Sequence, residues 1–270
     1  HFPAPFDCIV IYNAFPHFPE PERLISHLRR KLDLSRLAEF TVEAGRPDTI
    51  DGDKMAVLAN HKVDRVSVNP QSMNEPVLEK IGRPHSAEDI RRAYGEVRSA
   101  GTFAVNMDLI AGLPGDDPEG FARSLQQVMA LEPENITVHT LALKKGSALM
   151  EHPEELPSAD EVAQMLDGAW AALREAGYRP YYLYRQKYMS GSFENIGWAK
   201  PGYANLYNIA MMEELHTILA LGGGAVSKLV DPVTGKLERL SNPKYPQEYL
   251  RDIDKLCAQK EALADLLAQV

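Results

Sequence analysis

Four stretches of this chain carry polar side chains at every second residue, and together they supply the groups a ligand site needs. Thr41 and Glu43 alternate with Phe40 and Val42. Ser67, Asn69 and, if the extended run continues, Gln71 alternate with Val66 and Val68. Asn106 and Asp108 alternate with Val105, Met107 and Leu109, and Thr137 and His139 with Ile136, Val138 and Thr140. Successive strand residues point to opposite faces, so each stretch reads as a β-strand with one apolar and one polar face. A barrel that served only as a scaffold would fill its interior with Val, Ile and Leu. One such polar residue is explained by hydrogen bonding inside a core. Four strands in a row point instead to a wide polar interior that holds a ligand. Glu43 and Asp108 are then the acceptors for its hydroxyl or ammonium groups.

Loops at the strand ends add weaker signals. Gly112-Leu113-Pro114-Gly115 follows the Asp108 strand, where a βα loop must turn sharply beside a bound ligand. Gly222-Gly223-Gly224 would let backbone approach a ligand closely, but it lacks both GxGxxG spacing and a phosphate-loop lysine. Arg83 and His85 stand just before a helix for which Ser86 is the expected N-cap. No Cys/His group has zinc spacing and no Gly-x-Ser-x-Gly elbow occurs, so no metal ligand is assigned.

The elements that must position these residues alternate strand and helix. Strands are expected at Asp7–Tyr12, Glu39–Glu43, Arg65–Asn69, Phe103–Ile110 and Asn135–Leu143. Helices are expected at Pro21–Lys31, Asp51–Asn60, from Glu75, at Ala87–Ala100, Pro118–Ala130 and Ser158–Ala176. Gly101 is expected as a left-handed cap of the fourth helix, and Gly177 closes the last. Such alternation implies a parallel sheet with helices packed outside it. The texture changes after residue 177, which suggests two domains, 1–177 and 178–270. The second is expected to hold a strand at Tyr181–Tyr184 and a loop or lid at Gln186–Leu206. A glycine-bearing strand at Leu219–Val226, a hairpin-like turn at Asp231–Lys236 and an amphipathic helix at Tyr245–Val270 follow.

Composition narrows the function classes. The 270 residues are 44% hydrophobic and 25% charged, ordinary globular values. A net charge of −9 argues against nucleic acid as a partner, because phosphate binding draws on clustered Lys and Arg. No apolar run approaches the roughly 18 residues of a membrane helix, so no membrane association is expected. The chain reads as cytoplasmic, and its start at His1 leads us to expect that an N-terminal piece was removed or is missing. Its two cysteines, Cys8 and Cys257, cannot build a disulfide framework or a multi-cysteine metal site, and both are expected to be buried structural thiols.

Taken in order, several motifs resemble those of the radical S-adenosylmethionine family, the oxygen-independent coproporphyrinogen III oxidases (coproporphyrinogen dehydrogenases) of HemN/HemZ type. They are Phe40 through Asp48, Arg65 through Asn74, Ile81 through Ser86 and Asn106 through Gly115. Asn69-Pro70-Gln71, with Tyr184 through Lys187 and Glu194 through Gly202, is most similar to the HemZ branch. The resemblance implies an α/β fold, a partial (β/α) barrel of radical SAM type missing its first unit, with a C-terminal α+β extension. It implies S-adenosyl-L-methionine as cofactor, contacted by residues matching Glu43, Gln71, Arg83, Asp108, Ala142 and Val226. It also implies a [4Fe–4S] cluster, whose reductive cleavage of adenosylmethionine gives a radical that starts the conversion of propionate to vinyl with loss of CO₂. The small-molecule substrate implied is coproporphyrinogen III, an intermediate of haem biosynthesis. Arg185, Lys187 and Lys200 are the candidates to meet its carboxylates.

The chain departs from the family pattern at one place. The family holds its cluster on a C-x-x-x-C-x-x-C run after the first strand, followed by a Gly-Gly-Thr-Pro loop. This sequence has no such run, and Tyr12-Asn13-Ala14-Phe15-Pro16-His17 stands where the second loop is expected. Two readings follow. One is an N-terminally incomplete oxidoreductase. The other is a cluster-free relative that binds adenosylmethionine, a porphyrin or a partner protein without catalysis.

Overall fold

The computed structural model describes residues 6–11, 20–142, 153–185, 193–231 and 234–267. The segments 12–19, 143–152 and 186–192 therefore lie outside it, and with them Lys187 and the Tyr12-to-His17 loop. In chain order the elements are β1 (Cys8–Ile11), α1 (Pro21–Lys31), β2 (Glu39–Gly45), α2 (Gly52–Asn60), β3 (Arg65–Val68) and α3 (Glu75–Lys80). They continue with α4 (Ala87–Ala100), β4 (Ala104–Ala111), α5 (Pro118–Ala130), β5 (Asn135–Thr140), α6 (Ala159–Glu175), β6 (Arg179–Tyr184) and β7 (Asn195–Ala199). The last are α7 (Leu206–Met212), β8 (Val226–Val230), β9 (Leu237–Ser241), α8 (Pro246–Arg251) and α9 (Ile253–Leu267). Two compact units result, one drawn from residues 10–22 and 39–205, the other from 1–9, 23–38 and 206–270.

Seven strands form one sheet in the order β1-β2-β3-β4-β5-β7-β6. From β2 to β5 neighbours are parallel, because each is joined to the next through helices. Phe40, Val42, Val66, Val68, Val105, Met107, Leu109, Ile136 and Val138 all lie on the outer face and are at most 2% exposed. They pack beneath the apolar stripes of α2 to α6, such as Met55 and Leu58, Ile90 and Val97, Phe121 and Leu125, and Val162 and Met165. The alternation in the sequence thus predicts the outer face correctly. Helix starts are also as expected: the Ser86 hydroxyl accepts from Asp89 N–H while the Asp89 carboxylate accepts from Ser86 N–H, and Asp51 caps α2.

Four expectations are corrected. Gly101 is not a left-handed cap: its φ of 179° is extended backbone. A glycine stands there for room, since a Cβ would come within 3.2 Å of the Phe103 ring and 3.3 Å of Ala59 Cβ. The chain's exit from α4 is fastened instead by Arg98, whose Nη1 donates to Phe103 O at 2.8 Å. The stretch Gln186–Leu206 is not simply a loop, because its residues 195–199 form β7, inserted antiparallel between β5 and β6. Gly197 is obligatory there, because the Tyr182 ring of β6 lies where a Cβ would stand. Beyond Val138↔Ile196, the last β5–β7 pair, the Asn195 side chain extends the ladder by accepting Thr140 N–H at 2.7 Å.

In the second unit the expected strand at Leu219–Val226 begins only at Val226. Gly222 and Gly224 have φ of 107° and 71°, outside extended geometry, and make a turn. Their backbone is satisfied locally: Asn242 Nδ2 donates to Gly222 O, Gly224 N–H donates to Pro243 O and Gly222 N–H donates to Tyr249 Oη. The β8–β9 pair closes the hairpin at Val230↔Leu237. The single C-terminal helix is two helices broken at Asp252, whose carboxylate takes a two-pronged contact from Arg251. No helix among the described residues is long and apolar enough to cross a membrane.

Candidate functional site

The polar faces of β2 to β5 meet on the inner side of the sheet, and register decides which groups touch. Glu43 pairs with Ser67, Ser67 with Asn106, and one step further Asp108 pairs with Thr137. Ser67 Oγ donates to Glu43 Oε2 at 2.5 Å, and Asn69 Nδ2 reaches the same oxygen at 3.5 Å. Thr137 Oγ1 donates to Asn106 Oδ1 at 3.0 Å, and Asn106 Nδ2 donates to Asp108 Oδ1 at 2.7 Å. His139 Nε2 lies 3.6 Å from Asp108 Oδ2. Asn69 Oδ1 is buried without a hydrogen-bond partner among the described residues.

Two carboxylates share this space with one imidazole, and their titration divides accordingly. Burial, and after it the charge of Asp108, pushes Glu43 up to about 7, against the hydrogen bonds of Ser67 and Asn69. Burial also opposes ionisation of Asp108, but His139, Asn106 and Thr137 outweigh it and hold Asp108 below the usual carboxylate range. For His139 burial disfavours the imidazolium, and Asp108, Glu43 and Asn195 together reverse this and raise its pKa. The site therefore favours an ionised Asp108 and the imidazolium form of His139, with Glu43 titrating near neutrality.

Of the remaining sequence-derived residues, Gln71 and Ala142 follow the carboxyl ends of β3 and β5, while Arg83 and Val226 lie elsewhere in the chain. Gln71 does not continue the extended run. Pro70 has no N–H to give, and Gln71 takes φ 67°, a left-handed conformation that costs about 1–2 kcal/mol for a side-chain-bearing residue. Its N–H donates to Asp108 O and its C=O accepts from Ile110 N–H, so the bulged segment is pinned to β4. Arg83 is half-buried beside Arg46 and Asp48 and makes no hydrogen bond among the described residues; burial, then Arg46, depresses its pKa. Ala142 lies two residues beyond β5. Val226 belongs to the other unit, where it opens β8 and is 40% exposed.

The basic residues proposed for a substrate are partly relocated. Lys200 stands at the amino-terminal end of β5, where its Nζ donates to Glu132 O, the opposite end from Asp108 and His139. Arg185 pairs with Glu194 at 2.9 Å, and both line a cavity of about 490 Å³ with Trp170, Asp167 and Phe193. The cysteines are not buried: Cys8 is half-buried in β1 and Cys257 exposed on α9. Tyr182 and Asn195, which flank this face from β6 and β7, were not singled out in the sequence, because β7 itself was hidden in a Gly- and Asn-rich stretch.

Comparison with known proteins shows what this architecture is. Residues 8–128 match the model of the Radical SAM superfamily. The oxygen-independent coproporphyrinogen-III oxidase-like protein HemZ of Bacillus subtilis is 46% identical over 219 residues, 80% of this chain and 44% of HemZ. The chain belongs to the radical SAM superfamily, in the HemN/HemZ group. The heme chaperone HemW of Haemophilus influenzae is also similar, at 28% identity over 84% of this chain and 56% of HemW. In fold, this radical SAM chain superposes on the coproporphyrinogen III oxidase HemN of Escherichia coli with a TM-score of 0.67. That match has 23% identity and covers 86% of this chain and 52% of HemN. The chain spans about half the length of the relatives it matches. The family and the mixed α/β, half-barrel fold implied by the motifs are both borne out.

The superfamily implies adenosylmethionine and a [4Fe–4S] cluster, and the two fare differently against these residues. Asn69 Oδ1, a buried acceptor without a donor among the described residues, stands beside Glu43, so the two offer acceptor oxygens to N–H or O–H groups of a ligand. Arg83, which makes no hydrogen bond among the described residues, offers a guanidinium of the kind that clamps a carboxylate. This donor set fits adenosylmethionine. It does not fit a cluster: thiolate ligation needs three cysteines together, and the 270 residues contain two, at positions 8 and 257.

Proposed function

We propose that this chain forms the adenosylmethionine-binding barrel of an oxygen-independent coproporphyrinogen III oxidase-like oxidoreductase of porphyrin biosynthesis. The observation that carries the reading is the inner-face constellation of Glu43, Asn69 and Asp108, with an ionised carboxylate and an unfilled acceptor in one polar cradle. Asp108 and Glu43 accept from ribose hydroxyls or the ammonium group, and Arg83 pairs with the carboxylate. Gln71 fixes the turn beside them, and Ala142 leaves room at the end of β5. In this superfamily adenosylmethionine supplies hydrogen-abstraction chemistry when a reducing cluster stands beside it. The residues here hold the molecule in place, with Glu43 able to keep or release a proton near neutral pH. A tetracarboxylate porphyrinogen is the proposed substrate, in a cytoplasmic protein, on the strength of the likeness to HemZ.

Calorimetric titration with S-adenosylmethionine tests this reading. Saturable one-to-one binding that falls at least about tenfold in Arg83→Ala supports it, since a charge-assisted pair contributes about 1.5–3 kcal/mol. Absence of binding overturns it.

A second reading is favoured by a specific feature, the lack of three clustered cysteines in the sequence. On it, the chain binds adenosylmethionine, a porphyrin or a partner without redox catalysis. Anaerobic reconstitution with iron and sulfide tests this second reading, since a stable cluster in the 270-residue chain would exclude it.

A further inference from the structure

His139 has no place among the residues that the family resemblance marks, yet its imidazole pairs with Asp108, and its charge acts on Glu43 as well. It projects from β5 on the polar face, two residues past Thr137, the register partner of Asp108. Its Nε2 is 3.6 Å from Asp108 Oδ2, and the two side chains are 26% and 17% exposed. The titratable groups facing it from neighbouring elements are Asp108 on β4, Glu43 on β2 and, beside Asp108, Tyr182 on β6. Asn195 on β7 supplies a neutral contact. The His139, Asp108 and Glu43 group is not a metal site, since no set of three or more His, Cys, Asp or Glu among the described residues is arranged to hold an ion.

The charge of Asp108 acts on Glu43, and two interacting buried carboxylates resist being ionised together unless a cation offsets them. We propose that His139 is the positioning residue of the adenosylmethionine site: its imidazolium keeps Asp108 ionised and in place, so that Asp108 stays available as the ligand's acceptor at neutral pH. This inference rests on the reading of the inner face as an adenosylmethionine site and adds a residue and a pH dependence to it. With His139 neutralised, Asp108 and Glu43 are left as a like-charged pair, and one of them retains a proton. A ligand hydroxyl or ammonium group then loses an acceptor at neutral pH and regains it as the pair ionises at higher pH. A role limited to filling space predicts no such dependence.

The test uses S-adenosylhomocysteine, a chemically stable probe with the same nucleoside and amino-acid groups, titrated calorimetrically from pH 6 to 9. His139→Gln is expected to bind about tenfold more weakly than wild type at pH 7, the effect of about one pKa unit on the acceptor. The gap is expected to close to within about threefold by pH 9. A loss that is the same at every pH, or no loss, overturns the inference while leaving the site assignment standing. Absence of binding by the wild-type chain at every pH overturns the site assignment as well. A second measurement needs no variant: the assigned His139 imidazole, followed by NMR in the wild-type chain, is expected to titrate above the ordinary value of about 6.5. A midpoint at or below that value also overturns the inference.

Discussion

At the residue scale the site turns on how one imidazole divides the behaviour of two carboxylates. Glu43 is raised to about 7 by burial and by Asp108, so the folded chain holds its proton more tightly than the unfolded chain does. A raised carboxyl pKa is a stability cost that is absent below the unfolded value of about 4.5 and grows as pH rises through 7. Glu43→Gln is therefore expected to match wild type in urea melts at pH 5 and to exceed it by about 1–2 kcal/mol at pH 8. Equal stability at both pH values would show that Glu43 is not desolvated. The polar identity of this face was legible in the sequence, because strand parity put Glu43, Ser67, Asp108 and His139 on one side. What parity could not supply was the turn at Gln71, since a left-handed residue breaks the alternation that parity assumes.

At the element scale, the inner face depends on how the sheet is closed at its β5 edge and clamped at its far end. Strand β7 was invisible to pattern reading because its glycine and asparagine look like loop residues. The structure explains both: Gly197 makes room for the Tyr182 ring, and Asn195 replaces a backbone partner for Thr140. Gly197→Ala is expected to cost at least about 2–3 kcal/mol, in the range of overpacking a filled site. Thermal or urea unfolding reads it, and a cost below about 0.5 kcal/mol would mean that Tyr182 swings away freely. At the amino-terminal end, Arg65 binds Glu39 at 2.6 Å, Asn135 at 2.8 Å and the carbonyls of Tyr203 and Ala204. Glu39 is 4% exposed, so Arg65→Met leaves a buried carboxylate without its cation. That change is expected to destabilise by roughly 3–5 kcal/mol. Because Arg65 lies at the opposite end of β3 from Ser67 and Asn69, ligand affinity of the folded fraction should be unchanged.

For the whole molecule, the sequence's alternation of strands and helices conveyed the half-barrel, since burial of the outer faces of β2 to β5 leaves a strong period-two pattern. The second unit was less legible. Its short hairpin, its glycine turn and its broken C-terminal helix are held by contacts such as Asn242 to Gly222 that no local periodicity encodes. The two cysteines at positions 8 and 257 carry a further expectation: iron and sulfide reconstitution of this chain should yield no broad absorbance near about 400 nm, as a thiolate-bound cluster would. The claim that most needs testing is that the inner face binds adenosylmethionine through Asp108. Calorimetry of wild type and Asp108→Asn at pH 8 tests it most directly. The account predicts saturable binding of one equivalent by wild type and a loss of at least about tenfold in Asp108→Asn, as expected for removing an ionised acceptor. No binding by wild type, or equal binding by both proteins, would contradict it.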